Sequence, residues 1–301
     1  MDRTTASLGL SGRAPRPALR RRRLILAAAC GLLAAAWAPA CRAATNAIPG
    51  LVLHFNMDEI RAGAFLDLVT SNALGRVTNA KTTSNGKLAG ACEFAAKNSY
   101  VEVPDSPALN PKQLTLSLWF KNGKDAWANR YLLEKDTERG YSLSIAGGGK
   151  ENARKGKLRA SVSGQSCLSD KAVNDDLWHH AAATFDGQSL KLYLDGVQQA
   201  QTAHAAGGLA PNAHSLTLGM HRSAPSSQDK DIAFDGLLDE VMLFNRALDT
   251  NELKRVRSSA KPKFTKWQVE RRLKELKDLY DRGLILQDFY DRKVEECEVV
   301  E

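Results

Sequence analysis

Three carboxylates alternate along residues 134–138, which read Glu134-Lys135-Asp136-Thr137-Glu138. On a β-strand, successive side chains point to opposite faces, so this spacing predicts that the three acids share one face. A retaining glycosidase needs two carboxyl groups about 5 to 5.5 Å apart, one as nucleophile and the other as acid. If this segment is a strand facing a cleft, Glu134 and Glu138 are the candidate catalytic pair.

Aromatic and imidazole side chains are the candidates for ligand contact at a rim or on a concave sheet face. Sugar recognition commonly uses an aromatic face together with a few fixed polar groups. The residues expected to supply these groups are Trp127, Tyr131, Tyr141 and His221. For each of them, packing in the core or at the rim is the alternative role.

The remaining histidines and cysteines do not predict a zinc site. His179 and His180 are adjacent on a predicted strand and therefore point to opposite faces. The cysteines beyond the leader, Cys92, Cys167 and Cys297, lack a CxxC spacing. A Cys92–Cys167 bridge is one option in an oxidising compartment, and buried free thiols are the other.

The elements that must position these residues are mostly short strands. Residues 51–55, 100–103 and 114–121 are apolar or alternate with period two, as half-buried strands do. Residues 178–202 hold three such runs separated by Asp186-Gly187 and Asp195-Gly196. Asp-Gly between alternating runs favours tight hairpins, so this segment predicts a three-stranded antiparallel meander.

A single helix is indicated near the end of this strand-rich region. Asp249 can cap it, with Glu252 at capping-box spacing and Leu253 and Val256 facing inward. Many strands with one helix predict an all-β fold, a two-sheet antiparallel β-sandwich.

Several segments resemble the laminin-G-like, concanavalin A-like jelly-roll family. The segments that carry the resemblance are 94–104, 114–120, 178–187 (WHHAAATFDG), 192–196 (LYLDG), 234–241 (FDGLLDEV), 245–248 (NRAL) and 252–253. The resemblance covers about 51–257 and implies a jelly-roll β-sandwich. The family includes lectin-like modules and accessory domains of glycosidases, so it does not specify a ligand.

The resemblance also bears on the acids. It implies a structural calcium ion held by Asp58, after the first strand, and Asp239, in the last strand, because these two strands lie together in a jelly roll. Glycosidases of this fold carry Glu-x-Asp-x-Glu with apolar residues between the acids. Here Lys135 and Thr137 stand between them, which favours a protein that is not an enzyme.

The first 44 residues have the three-part order of a secretory signal. Arg20 to Arg23 precede the apolar run Leu24 to Trp37, and small residues follow it. These 44 residues carry eight arginines and one acid, whereas the remainder carries 34 basic and 33 acidic side chains. The near-neutral body argues against nucleic-acid binding. We expect residues 1–44 to be a signal peptide and the mature chain to be exported, without a transmembrane span.

The C-terminal part is predicted to be a separate helical hairpin. A polar linker, 258–263, follows the jelly-roll domain at 45–257, and two helical runs meet at Gly283 within 264–299. The hairpin resembles the small SHOCT-type domain, although Leu286 replaces the usual Ser or Thr cap of the second helix. So small a unit buries little core alone, which predicts that it docks on the sandwich or on a copy of itself. We therefore expect 264–296 to serve for homo-oligomerisation or for docking a partner.

Taken together, the sequence predicts an exported, non-catalytic module that binds a glycan or a cell-surface partner through jelly-roll loops. A structural or assembly protein without glycan binding is the first alternative. A glycoside hydrolase using Glu134 and Glu138 is the second.

Overall fold

The computed structural model describes residues 48–95, 98–124, 127–149, 152–203, 208–221, 233–260, 263–264, 266–295 and 297–299. The predicted signal peptide, 1–44, lies outside the described residues. The described strands of the main body form two antiparallel sheets packed face to face, which confirms the predicted β-sandwich.

The strands of the first sheet are β1 (Leu51–Phe55), β4 (Lys81–Leu88), β5 (Gly90–Phe94), β7 (Leu114–Lys121), β12 (Trp178–Phe185), β13 (Ser189–Leu194), β14 (Val197–Ala203) and β16 (Gly236–Phe244). Their order is β14-β13-β12-β7-β16-β5-β4, and β1 also pairs with β16. The first and last strands of the sandwich therefore lie side by side.

The strands of the second sheet are β2 (Ala64–Leu66), β3 (Ala73–Thr78), β6 (Tyr100–Val103), β8 (Arg130–Lys135), β9 (Tyr141–Ile145), β10 (Lys157–Val162), β11 (Gln165–Ala172) and β15 (Leu216–Leu218). Their order is β11-β10-β9-β8-β15-β6-β3-β2. Short 3₁₀ helices lie at Pro107–Leu109 and Asn152–Arg154.

The alternating residues predicted to face inward form the core between the sheets. Leu114, Leu116, Leu118 and Phe120 on β7 are each at most 1% exposed. They join one cluster with side chains from the second sheet, such as Leu143. Burying each such side chain contributes roughly 1.5 to 3 kcal/mol, which makes this cluster the main source of stability.

The predicted meander is confirmed, but its two turns differ. Asp195 and Gly196 both have positive φ, 51° and 83°, as the predicted tight hairpin turn requires. The β12–β13 turn takes an extra residue, and only Gly187 has positive φ. There the Asp186 carboxylate accepts hydrogen bonds from the amides of Gln188 and Ser189, at 2.9 and 2.8 Å.

Helix α1 (Thr250–Ser259) packs on the outer face of the first sheet. Its Leu253 and Val256 form a second apolar cluster with Tyr193 and Phe244 of that sheet. The capping box of Asp249 and Glu252 is present as predicted. The helix runs into the segment predicted as linker, because Ser258 and Ser259 donate their hydroxyls back to carbonyls of the last turn.

The C-terminal residues form the predicted hairpin of α2 (Lys266–Asp281) and α3 (Gln287–Glu295). The rings of Tyr280 and Tyr290 pack 5.0 Å apart between the two helices. A short parallel pair, β17 (Lys263–Phe264) and β18 (Glu298–Val299), joins the two ends of the hairpin. Within the described part of the chain, every helix is too short or too polar to cross a membrane.

Cys92 and Cys167 are free, buried thiols. Cys92 lies on β5 of the first sheet, and Cys167 lies on β11 of the second. Of the two options that the sequence left open, buried thiols are the one observed.

Candidate ligand-binding face

The candidate site is the outer face of the second sheet around β8, β9 and β10. Leu143 and Leu158 on these strands point into the core, so their neighbours point outward. The cross-strand register aligns Tyr131, Ser144 and Arg159 in one row across this face. A second row aligns Thr217, Glu134, Ser142 and Ser161. These outward residues are hereafter the polar face.

An irregularity in β8 sets which of its side chains reach the polar face. Tyr131 and Glu134 are three residues apart and would point to opposite faces of a regular strand. The register shifts between Tyr131 and Leu133, and both Leu132 and Leu133 enter the core. The shift brings Tyr131 and Glu134 to the same side, where both contact His221.

Tyr131, His221 and Glu134 form one connected group. The rings of Tyr131 and His221 are stacked with centroids 4.5 Å apart, and the His221 Nδ1 lies 2.8 Å from Glu134 Oε2. Burial raises the pKa of the Tyr131 hydroxyl. The two predicted ligand contacts are thus brought together, but His221 covers the Tyr131 ring, so His221 is the more exposed of the two, at 18% against 6%.

The other two predicted contacts lie in different environments. Trp127 is 70% exposed just before β8, and its carbonyl accepts the Gly149 N–H at 2.9 Å. Tyr141 is only 2% exposed, and its hydroxyl donates to the carbonyl of Leu109. The predicted ligand-contact role of Tyr141 is therefore wrong, since its side chain fills the core.

The alternation that predicted a carboxylate pair ends at Lys135. Asp136 has a positive φ of 60°, so the chain turns there and Glu138 lies in the exposed turn beyond the strand. Glu134 is 2% exposed. Glu134, Asp136 and Glu138 do border one cleft of about 200 Å³ together with His214. The expectation that a regular strand aligns the three acids is wrong, which removes the argument for a catalytic pair.

Asp58 and Asp239, the predicted metal ligands, lie close together beside the turn that joins β4 to β5. Asp58 Oδ1 accepts the Gly90 N–H at 2.8 Å, and Asp239 Oδ2 accepts the Leu88 N–H at 2.9 Å. Burial, with the charges of Glu240 and Asp58, raises the pKa of Asp239 to about 8. Two neighbouring acids with this repulsion suit a cation.

The acids at this position do not by themselves complete a metal site. Within the described ranges, no group of three or more His, Cys, Asp or Glu side chains is placed to hold a metal ion. Calcium takes six to eight oxygen ligands, many of them backbone carbonyls. The donor set therefore fits calcium only if backbone or water oxygens supply most of the ligands.

Ser117 and His180 form a hydrogen-bonded pair on the outer face of the first sheet, with 2.9 Å between Oγ and Nε2. Both are 1% exposed, and burial lowers the pKa of His180 to about 3. His180 also packs against the Trp119 ring. So enclosed a pair is a packing element.

Two residues of the polar face, Ser144 and Arg159, were not candidates from the sequence. The rows across the sheet depend on strand order and register. Neither is visible in a single chain segment, because each row joins residues from separate strands.

Comparison with known proteins places the fold. Residues 95–254, more than half of the chain, match the family model described as the concanavalin A-like lectin/glucanases superfamily. No curated protein sequence gives a significant match.

Among solved structures, domain 4 of AbnA, a GH43 extracellular arabinanase from Geobacillus stearothermophilus in complex with arabinotriose, has a TM-score of 0.53. It is 18% identical, over 70% of this chain and 98% of that one. The binding domain of Paraclostridial Mosquitocidal Protein 1 has a TM-score of 0.55 and 15% identity, over 70% of this chain and 52% of that one.

A botulinum neurotoxin type C structure, from a toxin whose cell entry depends on two ganglioside molecules, has a TM-score of 0.52. It is 12% identical, over 71% of this chain and 52% of that one. The chain thus spans about half the length of each toxin chain. Identities this low show the fold alone.

Proposed function

The chain belongs to the concanavalin A-like lectin/glucanase superfamily, and from this premise we propose that it is a non-catalytic module that binds a glycan. The polar face carries the proposal. Ser142, Ser144 and Ser161 lie on it along β9 and β10 but are at most 3% exposed, whereas the His221 side chain is 18% exposed. The exposed part of this imidazole provides ring surface and a polar group of the kind that sugars require.

The exposed indole of Trp127 extends this face beyond the start of β8. Asn129 links the two regions, because its side chain hydrogen-bonds with Tyr131 and accepts the Gly147 N–H at 3.1 Å. Two solved structures with this fold support a glycan ligand. The arabinanase domain was solved with arabinotriose, and the cell entry of the neurotoxin depends on ganglioside molecules.

A glycan-binding screen of the full chain tests the proposal, followed by titration of the best ligand. We expect His221→Ala and Trp127→Ala each to weaken binding by about tenfold, as losing one well-used contact does. Trp267→Ala is the matched control, because Trp267 is also an exposed indole, 65% exposed, but lies on α2. Binding to no glycan, or equal losses in all three variants, would reject this site.

We also propose a structural calcium ion at Asp58 and Asp239. Their neighbouring carboxylates and the raised pKa of Asp239 support it. Bound calcium would neutralise this repulsion and raise the melting temperature. Thermal unfolding of the full chain with calcium and with chelator is the test, and an Asp58→Asn variant should lose the difference. Identical melting in both conditions argues against the ion.

Export with cleavage after Ala40 or Ala43 is our proposal for localisation, on the basis of the leader sequence. Periplasmic, cell-surface and secreted destinations are all compatible with it. We propose the same order of domains as above, with the end of the jelly-roll domain moved from 257 to 259 so that it contains the whole of α1. Mass spectrometry of the mature N-terminus tests the cleavage, and an intact leader would contradict it.

Assembly through the C-terminal hairpin is the second candidate function, and the SHOCT-like resemblance remains a proposal. One observation favours it: Trp267, Leu284, Leu286 and Phe289 are between 37% and 80% exposed. So much exposed apolar surface on a small unit indicates a contact partner, either a second copy or another cell-surface protein.

A further inference from the structure

The connection between β9 and β10 has a local excess of positive charge. Residues 147–159 carry five basic side chains and one acid, a net charge of +4. The basic residues are Lys150, Arg154, Lys155, Lys157 and Arg159, and the acid is Glu151. Residues 45–301 as a whole, with 34 basic and 33 acidic side chains, have a net charge of only +1. Charges elsewhere in the body therefore offset this connection, and its own segment does not.

Three of these basic side chains lie together at one end of the second sheet. The Gly156 N–H donates to the Ala146 carbonyl at 2.8 Å, which closes the base of the connection. Arg154 ends the adjoining 3₁₀ helix and is exposed, whereas Lys155 and Lys157 are half-buried. Lys157 points to the polar face, because the next residue along β10 points into the core. Arg154, Lys155 and Lys157 are hereafter the basic loop.

The exposed indole of Trp127 lies at the same end of the second sheet. The Trp127 carbonyl accepts the Gly149 N–H at 2.9 Å, so the connection is bonded to the segment that precedes β8. Gly147 packs so closely on this segment that a Cβ atom there would lie 2.3 Å from the Trp127 carbonyl oxygen. A side chain at position 147 would therefore push the two segments apart. An indole that is 70% exposed and an exposed guanidinium are thus both accessible from solvent at this end of the sheet.

Two cations of the basic loop have no acidic partner among the residues that the structure describes. No described carboxylate lies within 4.0 Å of the Arg154 guanidinium or of the Lys157 ammonium. In or beside the first sheet, by contrast, Lys81, Lys121 and Lys124 each lie within that distance of an acid. An incoming anion therefore has no described carboxylate to displace from Arg154 or Lys157.

The apolar surface at this end of the sheet suits a sugar ring better than a membrane. Binding of a protein to a lipid surface scales with the apolar area that it buries there. The other exposed large apolar side chains on the described part of the sandwich are Val69 and Val197. Val69 follows β2 at the far edge of the second sheet, and Val197 lies on β14 of the first sheet. The single indole of Trp127 offers one stacking surface, which is what one sugar ring uses.

We propose that the basic loop and Trp127 together bind an anionic glycan, one that carries uronate carboxylates or sulfate esters. The inference rests on the proposed glycan-binding function and specifies its ligand class. The planar guanidinium of Arg154 donates two parallel N–H groups to one oxyanion, and the ammonium groups of Lys155 and Lys157 act as point charges for others. The Trp127 indole stacks on a ring of the same sugar chain.

Titration of the full chain with dextran sulfate, polygalacturonate and uncharged dextran tests the proposal. Arg154→Gln combined with Lys157→Gln should weaken binding to the anionic polymers by about tenfold, because two exposed charges each contribute modestly. Lys112→Gln combined with Lys254→Gln is the matched control, since it removes the same charge from exposed positions before β7 and on α1. This control should change binding by less than about twofold.

The outcomes separate the ligand class from the proposed function. A loss confined to dextran sulfate in the basic-loop variant identifies a sulfate ligand, a loss confined to polygalacturonate identifies a carboxylate ligand, and a loss for both polymers shows that either anion is accepted. Each of these results supports the proposal. Equal binding of dextran sulfate and dextran, or equal losses in the two double variants, overturns it and leaves glycan binding standing.

Two further results would also overturn the proposal. Binding to vesicles of anionic phospholipid, but to neither anionic polymer, would assign the basic loop to a membrane surface. If the chain binds none of these polymers and no glycan in the screen, both the ligand class and the proposed function are rejected.

Discussion

The Lys135 ammonium is fully buried and has four oxygen acceptors. They are Asp105 Oδ1 at 2.8 Å, the Asn212 carbonyl and Oδ1 at 2.9 and 3.0 Å, and the His214 carbonyl at 2.6 Å. One side chain at the end of β8 therefore ties down two segments that are distant in sequence. Lys135, which stands where glycosidases of this fold have an apolar residue between the acids, therefore has a structural role here.

Replacing Lys135 with Ala should lower the free energy of unfolding by about 2 to 3 kcal/mol, because buried acceptors lose their charged donor. Urea unfolding followed by tryptophan fluorescence measures this. Lys112→Ala, at an exposed position, should stay within about 0.5 kcal/mol of the parent. Similar midpoints for the two variants would contradict the anchoring role.

His179 provides a pH-dependent contribution at the start of β12. Burial lowers its pKa, but the hydrogen bond with Asp195 Oδ2 at 2.7 Å and the charges of Asp195 and Asp175 outweigh burial and raise it above 6.5. Because the folded state holds the proton more tightly, the stabilisation is complete below the unfolded pKa. It is lost as the pH rises through the folded pKa.

His179→Asn should therefore destabilise the protein more at about pH 5.5 than at about pH 8.5. Unfolding free energies across this range, for parent and variant, give the difference curve. His214→Asn, which removes an imidazole that is 57% exposed, is the matched control. A destabilisation that does not vary with pH would show that His179 acts by packing alone.

At the scale of elements, α1 is held to the sheet by both its cap and its apolar face. Arg246 donates two hydrogen bonds to the Glu252 carboxylate, at 2.8 and 2.6 Å, and a third to the Pro49 carbonyl. The Arg246 hydrogen bonds lower the pKa of Glu252 to about 2. The cap therefore keeps its charge in mildly acidic solution.

Asp249→Ala removes the side-chain acceptor of the capping box and should cost about 1 kcal/mol of stability. Asn251→Ala is the control, because Asn251 is exposed and lies two residues after Asp249 in the first turn of α1. This change should be neutral or slightly stabilising, because Ala is the better helix former. Thermal unfolding of both variants decides. An equal loss in both would mean that packing of Leu253 and Val256 alone holds the helix.

The elements were largely predictable from the sequence, and the site only in part. Alternation predicted β7 and the meander because one face of each strand is apolar. The irregularity between Tyr131 and Leu133 left no comparable signal, because Leu132 and Leu133 are both apolar and both buried. Tyr141 was predicted to contact a ligand, but its side chain is buried. The strands that bury it are distant in sequence, so its own segment does not reveal the burial.

At the scale of the whole molecule, the hairpin is where self-association should appear. If it assembles copies of the chain, Leu286→Asp and Phe289→Asp should lower the mass measured by sedimentation to that of a monomer, since charges at an apolar contact oppose association. Val69→Asp is the control, because Val69 is 40% exposed on the sandwich. A parent chain that is already monomeric would exclude this role.

The two free thiols in the core have a consequence for durability. Burial raises the pKa of Cys167 to about 11 and that of Cys92 further, so the folded protein holds almost no reactive thiolate. Once the sandwich opens, these thiols and Cys297 can oxidise in any pairing, and none of the pairings is present in the folded state. In an oxidising compartment each opening is a chance of permanent inactivation. The working lifetime of the protein is then set by its unfolding rate rather than by its equilibrium free energy of unfolding.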